Sequence, residues 1–203
     1  MTIDQALKKL GLDLTKTNDL EAFIALFTKW NKSINLSAAS SRGELLGHVI
    51  DSLHVVPHLA AHAETLRSTA GEPRDVRVLD VGSGGGFPVV VAAVCLPSVH
   101  FTSLEPVHKK HAFLRTAARE LRLDNLDPLA LRLEDHEPRD YDAAMSRATF
   151  DLREWLEAGL ERIVEGGIVL GFEAVRRDDL PATIERDVYA VDGKPRTIVQ
   201  LRR

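Results

Sequence analysis

The sequence predicts an α/β fold of Rossmann-like type, with a mostly parallel sheet and an N-terminal helical extension. Three observations carry that expectation. Residues 76–88 pass from an apolar strand pattern (Val76, Val78, Leu79, Val81) through a glycine cluster (Gly82, Gly84, Gly85, Gly86) toward the apolar run 89–96. That order reads as a buried strand, a tight turn and a helix. From Val76 onward, strand and helix patterns alternate, as in a parallel sheet covered on both faces. Residues 1–65 are a different kind of sequence, with apolar residues recurring at helical spacing on either side of a loop.

Taken in order, Leu7, Leu10, Leu14, Leu20, Phe23, Ile24, Phe27 and Trp30 recur at helical intervals. Asn18 or Asp19 is expected to cap the second helix, and Glu21 and Glu44 suit early helical turns. Residues 31–37 read as a helix exit and loop. Leu45, Leu46, Val49, Ile50, Leu53 and Val56 restart a helix over 44–59, which Pro57 is expected to kink or end. An Ala-rich connection over 60–75, with Gly71 and Pro73, leads into the glycine strand. The expected division is a helical extension at 1–65, a connection at 66–75 and a ligand-binding core at 76–203. Strands are expected at 76–81, 99–105, 126–131, 141–146, 167–173 and 196–202. Helices are expected at 88–96, 107–122 and 151–164, the last ended by Gly166-Gly167.

Composition narrows the class. A chain of 203 residues, 44% of them apolar, suits one large domain or a core with an extension. A net charge of -4 argues against a generally basic nucleic-acid coat, yet leaves room for a local basic face. The single cysteine, Cys95, precludes an intrachain disulfide and is expected to pack as a small hydrophobe. The first residues lack an apolar signal region and no stretch approaches a membrane span, so a soluble cytoplasmic protein with no membrane partner is expected.

The glycine loop selects among ligands. A dinucleotide fingerprint needs glycine at its first, third and sixth positions, and counting from Gly82 the sixth is Phe87. The pattern present is Asp80-x-Gly82-x-Gly84-x-Gly86. A carboxylate at Asp80 suits a ligand bearing an amino group, and S-adenosylmethionine carries both an ammonium and a sulfonium. Glu105, nineteen residues after Gly86, ends the second strand, where an acid commonly holds a ribose diol. The plainer alternative for the glycines alone is a loop before a helix.

Two further stretches make a resemblance specific: Lys29-Trp30-Asn31-Lys32 with Asn35-Leu36, and His48-x-x-Asp51-Ser52-Leu53. With Asp80–Pro88 and Ser146-Arg147-Ala148, the chain resembles the glucose-inhibited division protein B family over nearly its whole length. The resemblance implies a class I methyltransferase that uses S-adenosylmethionine to methylate a guanine at N7 in 16S ribosomal RNA of the small subunit. It also implies cofactor contacts at Gly82, Phe87, Leu133, Glu134 and Arg147. Phe87 suits a flat ligand surface, Glu134 could accept from an adenine amino group while Leu133 offers a backbone N–H, and Arg147 could fork onto a carboxylate or phosphate. No catalytic acid or base is assigned, because N7 carries a lone pair and no proton.

The chain departs from that family at Pro88-Val89 in place of Pro-Gly, at Gly47 in place of a basic residue, near Ser40–Arg42 where an arginine is displaced or missing, and at Phe172-Glu173-Ala174 in place of Leu-Lys-Gly. The last reverses a charge beside an expected RNA site. It keeps open a different acceptor, a small molecule or a protein, or a non-catalytic module that binds cofactor and RNA; Arg176 and Arg177 are candidates to compensate.

Other constellations have two readings each. His48 and Asp51 share a helix face, either as a polar pair tying the extension to the core or as RNA contacts. His54, His58 and His62 fall four apart, but without a completing ligand they read as a surface row, and no metal is assigned. Lys109, Lys110, Arg115, Arg119 and Arg122, with Lys29 and Lys32, are either phosphate contacts or a solvated basic face.

Overall fold

The computed structural model describes residues 1–39, 41–70, 74–137 and 139–203. Strands β1 (Val76–Val81), β2 (Val99–Leu104), β3 (Leu126–Leu129), β4 (Tyr141–Ser146), β5 (Ile163–Glu173), β6 (Glu185–Val191) and β7 (Lys194–Arg202) form one sheet, ordered β3-β2-β1-β4-β5-β7-β6. The first five run parallel, and β7 lies antiparallel between β5 and β6. Strand order reverses between β1 and β4, which opens a crevice at their carboxyl ends.

Among the described residues, seven α-helices cover the sheet: α1 (Ile3–Lys9), α2 (Thr17–Ile34), α3 (Arg42–Leu53), α4 (Val55–Thr69), α5 (Val89–Cys95), α6 (His108–Glu120) and α7 (Leu152–Leu160). The strands supply both cores because consecutive side chains point to opposite faces. Val76, Val78, Phe101, Ala143, Met145 and Ile168 pack with the first six helices in one core. Leu79, Val81, Leu104, Tyr141, Ala144 and Val169 pack with Trp155 and Leu156 of α7 in the other. The four N-terminal helices therefore share a core with the sheet they cover. Cys95 is half-buried, and burial pushes its thiol up to about 12.

Several local expectations are corrected. Asp13, not Asn18 or Asp19, caps the chain ahead of α2: its carboxylate accepts from the Thr15 N–H at 2.8 Å and starts a short 3-10 turn that runs into the helix. Pro57 does not end a helix. The break falls at His54, and Pro57 occupies the first turn of α4, where its missing N–H has no intrahelical partner to lose. The expected connection at 60–75 is helical as far as Thr69, so the boundary segment 66–75 begins inside α4; Gly71 and Pro73 lie outside the described residues. The helix expected to reach 164 stops at Leu160, and Gly166-Gly167 fall within β5. There Gly166 takes φ +79°, and its N–H donates to the Arg203 carbonyl, beside a register shift between β4 and β5. Strand β6 was not anticipated. It pairs with β7 through Asp192-Gly193, both at positive φ, the geometry of a two-residue hairpin turn.

The histidine row is also corrected. His54 and His62 are buried: His54 stacks on Tyr189 at 3.8 Å, and a His62 ring nitrogen lies 3.0 Å from the Asp142 carbonyl. His58 pairs with Asp187 at 3.2 Å. The row is on one face as the spacing requires, but that face looks inward at β4 and β6.

Candidate active site

A cavity of about 750 Å³ opens at the carboxyl ends of β1, β2, β4 and β5, between the sheet and α3. Its floor is the turn after β1. Gly82 at φ +73° donates its N–H to the Leu104 carbonyl, drawing the turn over the end of β2. Gly84 at φ +52° donates to Glu105 Oε2 at 2.8 Å, while Glu105 Oε1 accepts from the Val107 N–H at 2.8 Å. The buried Glu105 carboxylate thus ties two loops together and keeps lone pairs for further donors.

The glycines divide by task. A side chain at Gly82 would run into Thr149, and Gly84 has room toward Glu105 and the cavity. Gly85 and Gly86 instead make space for the fold: a Cβ would lie 2.5 Å from the Phe27 ring at one and 2.6 Å from Val90 at the other. Gly86 does not line the cavity. Phe87, joined to Pro88 by a cis peptide, lies 5.1 Å from Phe23, 5.3 Å from Phe27 and 5.4 Å from His48 between ring centroids, so α2 and α3 clamp the loop through aromatic contacts.

Asp80, on β1 two residues before the turn and not itself lining the cavity, is 1% exposed, and neither carboxylate oxygen has a hydrogen-bond partner among the described residues. Burial, chiefly, raises its pKa to about 7; Ser83 and Arg147 act against the rise and Glu105 adds to it. An unpartnered buried carboxylate is costly, and a cation seated above it would relieve that cost.

The opposite wall is held by Asp51 of α3. Its carboxylate accepts from Arg147 at 3.0 Å and from the Tyr189 hydroxyl of β6 at 2.7 Å. The Arg147 guanidinium in turn lies over the Phe87 ring, 5.4 Å from its centroid. The tie between helices and core therefore runs from Asp51 to Arg147 and Tyr189, not between His48 and Asp51. Burial in this contact raises the Tyr189 hydroxyl pKa, with the Asp51 charge adding to it. Sequence reasoning missed Tyr189 because it missed β6; the β-prone run Val188-Tyr189-Ala190-Val191 followed by Asp192-Gly193 was the available signal.

The loop from α2 to α3 is set by Asn31. Its side-chain amide donates to the carbonyls of Ser37 and Ala39, and its oxygen accepts from the Ser37 N–H. With Asn35 in the left-handed region at φ +52°, this presents Leu36 and Ser37 to the cavity. The Asn31…Asn35-Leu36 pattern thus has a structural cause.

Glu173 lines the cavity as a paired charge. It accepts from the Arg177 N–H at 2.7 Å and from Arg186 at 3.2 Å, and its side chain is buried. Arg177 is itself engaged by Asp151 and Asp179, and Arg176 approaches Asp178 at 3.7 Å. Leu133 and Glu134 do not line the cavity. The Leu133 side chain packs into the α7 core and its carbonyl accepts from Arg162, while Glu134 is exposed. Lys110 reaches the cavity; Lys109, Arg115, Arg119 and Arg122 are exposed, with Arg119 paired to Glu120. Among the described residues, no helix is long and apolar enough to cross a membrane.

Comparison with known proteins adds the following. The sequence profile described as rRNA small subunit methyltransferase G matches residues 16–201. A protein of Methylobacillus flagellatus named ribosomal RNA small subunit methyltransferase G is 33% identical over 203 residues, spanning 98% of this chain and 89% of that protein. A Burkholderia pseudomallei protein of the same name is 35% identical over 185 residues, spanning 87% and 75%. Among solved structures, TrmN from Thermus thermophilus superposes with a TM-score of 0.51 at 22% identity over 70% of this chain and 48% of that one. The tRNA (m1A58) methyltransferase TrmI from Aquifex aeolicus gives 0.51 at 15% identity over 74% and 66%. These two likenesses speak to the fold.

Proposed function

The chain belongs to the rRNA small subunit methyltransferase G family, and from that premise we propose that it transfers a methyl group from S-adenosylmethionine to N7 of a guanine in 16S ribosomal RNA. The observation that carries the reading is the cavity floor, formed by the turn at Gly82–Gly84 and the Glu105 carboxylate, with the buried, unpartnered Asp80 at the end of β1 behind it. That arrangement fits a ligand with a cationic end and a diol.

The proposed cofactor contacts are the turn at Gly82 and Gly84, the acids Asp80 and Glu105, Phe87 and Arg147, with Gly86 proposed to serve the site by letting that turn pack on Val90. Leu133 and Glu134, beyond the end of β3, are proposed for the adenine end. The Glu105 N–H donates to the Leu129 carbonyl at the end of β3, which supports bringing that loop into the same neighbourhood. Bound there, S-adenosylmethionine supplies a methyl carbon on a positive sulfur: the N7 lone pair forms the new N–C bond as the C–S electron pair returns to sulfur. No proton leaves N7, so the chain need supply no base for that step. Its task is to hold the two reactants in line and exclude water. Phe87 and Arg147 would wall the reaction side, while Asp51 fixes the guanidinium.

The Glu173 charge that favoured a different acceptor is neutralised within the fold by Arg186, so no structural observation now favours that alternative. Lys29 and Lys32, near the end of α2, and Lys109 and Lys110, at the start of α6, are proposed phosphate contacts; Trp30 packs on Phe113 at 5.8 Å, joining those helices. The test is transfer of labelled methyl groups to small-subunit RNA lacking the modification, followed by mass analysis of the nucleosides. 7-Methylguanosine is expected. Donor binding without transfer would remove the acceptor, and failure to bind the donor would remove the enzyme class.

A further inference from the structure

A second cavity of about 500 Å³ lies between α3 and the β6–β7 hairpin, walled by Ala38, Gly47, Asp192 and Lys194 among others. It shares Ser37, His48, Asp51 and Arg196 with the cavity described above. Of these, Asp51 is engaged by Arg147 and Tyr189. His48 is different: neither ring nitrogen makes a hydrogen bond among the described residues, although the ring is half-buried and packed against Phe87. The two chambers meet along these shared residues, and His48, bordering both with an unclaimed donor and acceptor, is placed to touch what occupies either.

We propose that this second cavity seats the acceptor nucleotide, and that His48 donates its ring N–H to guanine O6, the acceptor beside N7. The assignment rests on the proposed methyl transfer to guanine. Chemistry supports both parts. The N7 edge of guanine presents two acceptors, N7 and O6; N7 must face the methyl carbon, which leaves O6 for a donor. Adenine presents an amino group at the equivalent place, so a donor there disfavours it. As the N–C bond forms, the base becomes cationic, and an uncharged donor adds no repulsion to that charge. His48 meets this requirement. Burial, chiefly, with Arg147 and Arg196, holds it below the ordinary imidazole range against the opposing charges of Asp51 and Glu44.

His48→Phe retains a ring against Phe87 and removes both nitrogens, while His48→Gln returns a donor. Ala38→Trp, at an exposed position on the second cavity, fills that cavity from outside the first. With unmethylated small-subunit RNA, His48→Phe and Ala38→Trp are each expected to lower kcat/KM for RNA about ten- to a hundredfold. Donor affinity, measured by calorimetry, should change less than about twofold in each, on the scale of a lost peripheral contact. His48→Gln should recover part of the loss and lack the fall in rate expected of the native protein as pH drops beneath the ordinary imidazole value, ~6.5, and His48 takes up a proton. Native rates in His48→Phe or Ala38→Trp, or donor affinity falling in step with transfer, would overturn the proposal. A native protein that binds donor yet methylates no guanine would overturn this proposal and the reading beneath it; indifferent variants beside an active native protein would overturn this one alone.

Discussion

On its sheet side the main cavity is bounded by backbone, at Gly82 and Gly84, stitched by Glu105 to the neighbouring loop. On its helical side it is bounded by side chains from distant segments: Asp51 of α3, Arg147 after β4 and Tyr189 of β6. The first wall is written in one short stretch and depends on backbone conformations that only glycine adopts easily. The second exists only once three separate elements have docked. Substitutions should therefore act differently on the two walls.

The contact that joins them is expected to give the largest effect. Phe23 is fully buried and meets the rings of Phe27, Phe87 and Phe113. Phe23→Ala should cost about 3–5 kcal/mol in denaturant unfolding and loosen both walls together. A loss confined to stability, with donor affinity intact, would show that the loop holds itself.

Asp51→Ala isolates the helical wall. It leaves a largely buried Arg147 charge and the Tyr189 hydroxyl without their carboxylate, and should cost about 2–3 kcal/mol, measured the same way. RNA methylation should fall more steeply than donor affinity. Equal losses would erase the distinction between the walls.

Asp80→Asn isolates the sheet wall and should move stability the other way. A carboxyl whose pKa is raised to about 7 on folding binds more protons folded than unfolded. It therefore weakens the fold progressively as pH rises from its unfolded value, ~3.9, through the folded one. At pH 8, Asp80→Asn should stabilise the unliganded protein by about 1–3 kcal/mol while reducing donor affinity. A destabilised variant at pH 8 would contradict the buried-charge account.

The smallest effect concerns the inward histidines. Burial, chiefly, lowers the pKa of His54 and His62, so the unfolded chain binds protons first as pH falls. Their contribution is complete above the unfolded value, ~6.5, and is lost as pH drops through the folded values. His54→Phe, which keeps a ring against Tyr189, should flatten the stability profile between pH ~6.5 and 5. An unchanged slope would place the acid sensitivity elsewhere.

The same contrast explains what the sequence made legible. Strands β1 and β4 matched their expected bounds, and the β1 turn was readable because strand pattern, glycines and Asp80 are contiguous. Arg147 was reached through resemblance, but its partner Asp51 stands far away in sequence, and spacing alone suggested His48 instead. The expected surface row of histidines failed because a period of four fixes a helix face without saying whether it meets solvent or a sheet. Glu173 looked like a reversed charge at an RNA site because Arg186, its partner, lies on the strand that was overlooked. Short-range pattern thus captured the sheet wall, and long-range pairing decided the helical one.

The most direct measurement is calorimetric titration of S-adenosylmethionine into the native protein, Glu105→Ala and His48→Phe side by side. The account expects binding by the native chain, a loss of at least about tenfold in Glu105→Ala, and nearly native affinity in His48→Phe. Equal affinity in all three, or a loss in His48→Phe matching that in Glu105→Ala, would contradict the assignment of donor and acceptor to opposite walls.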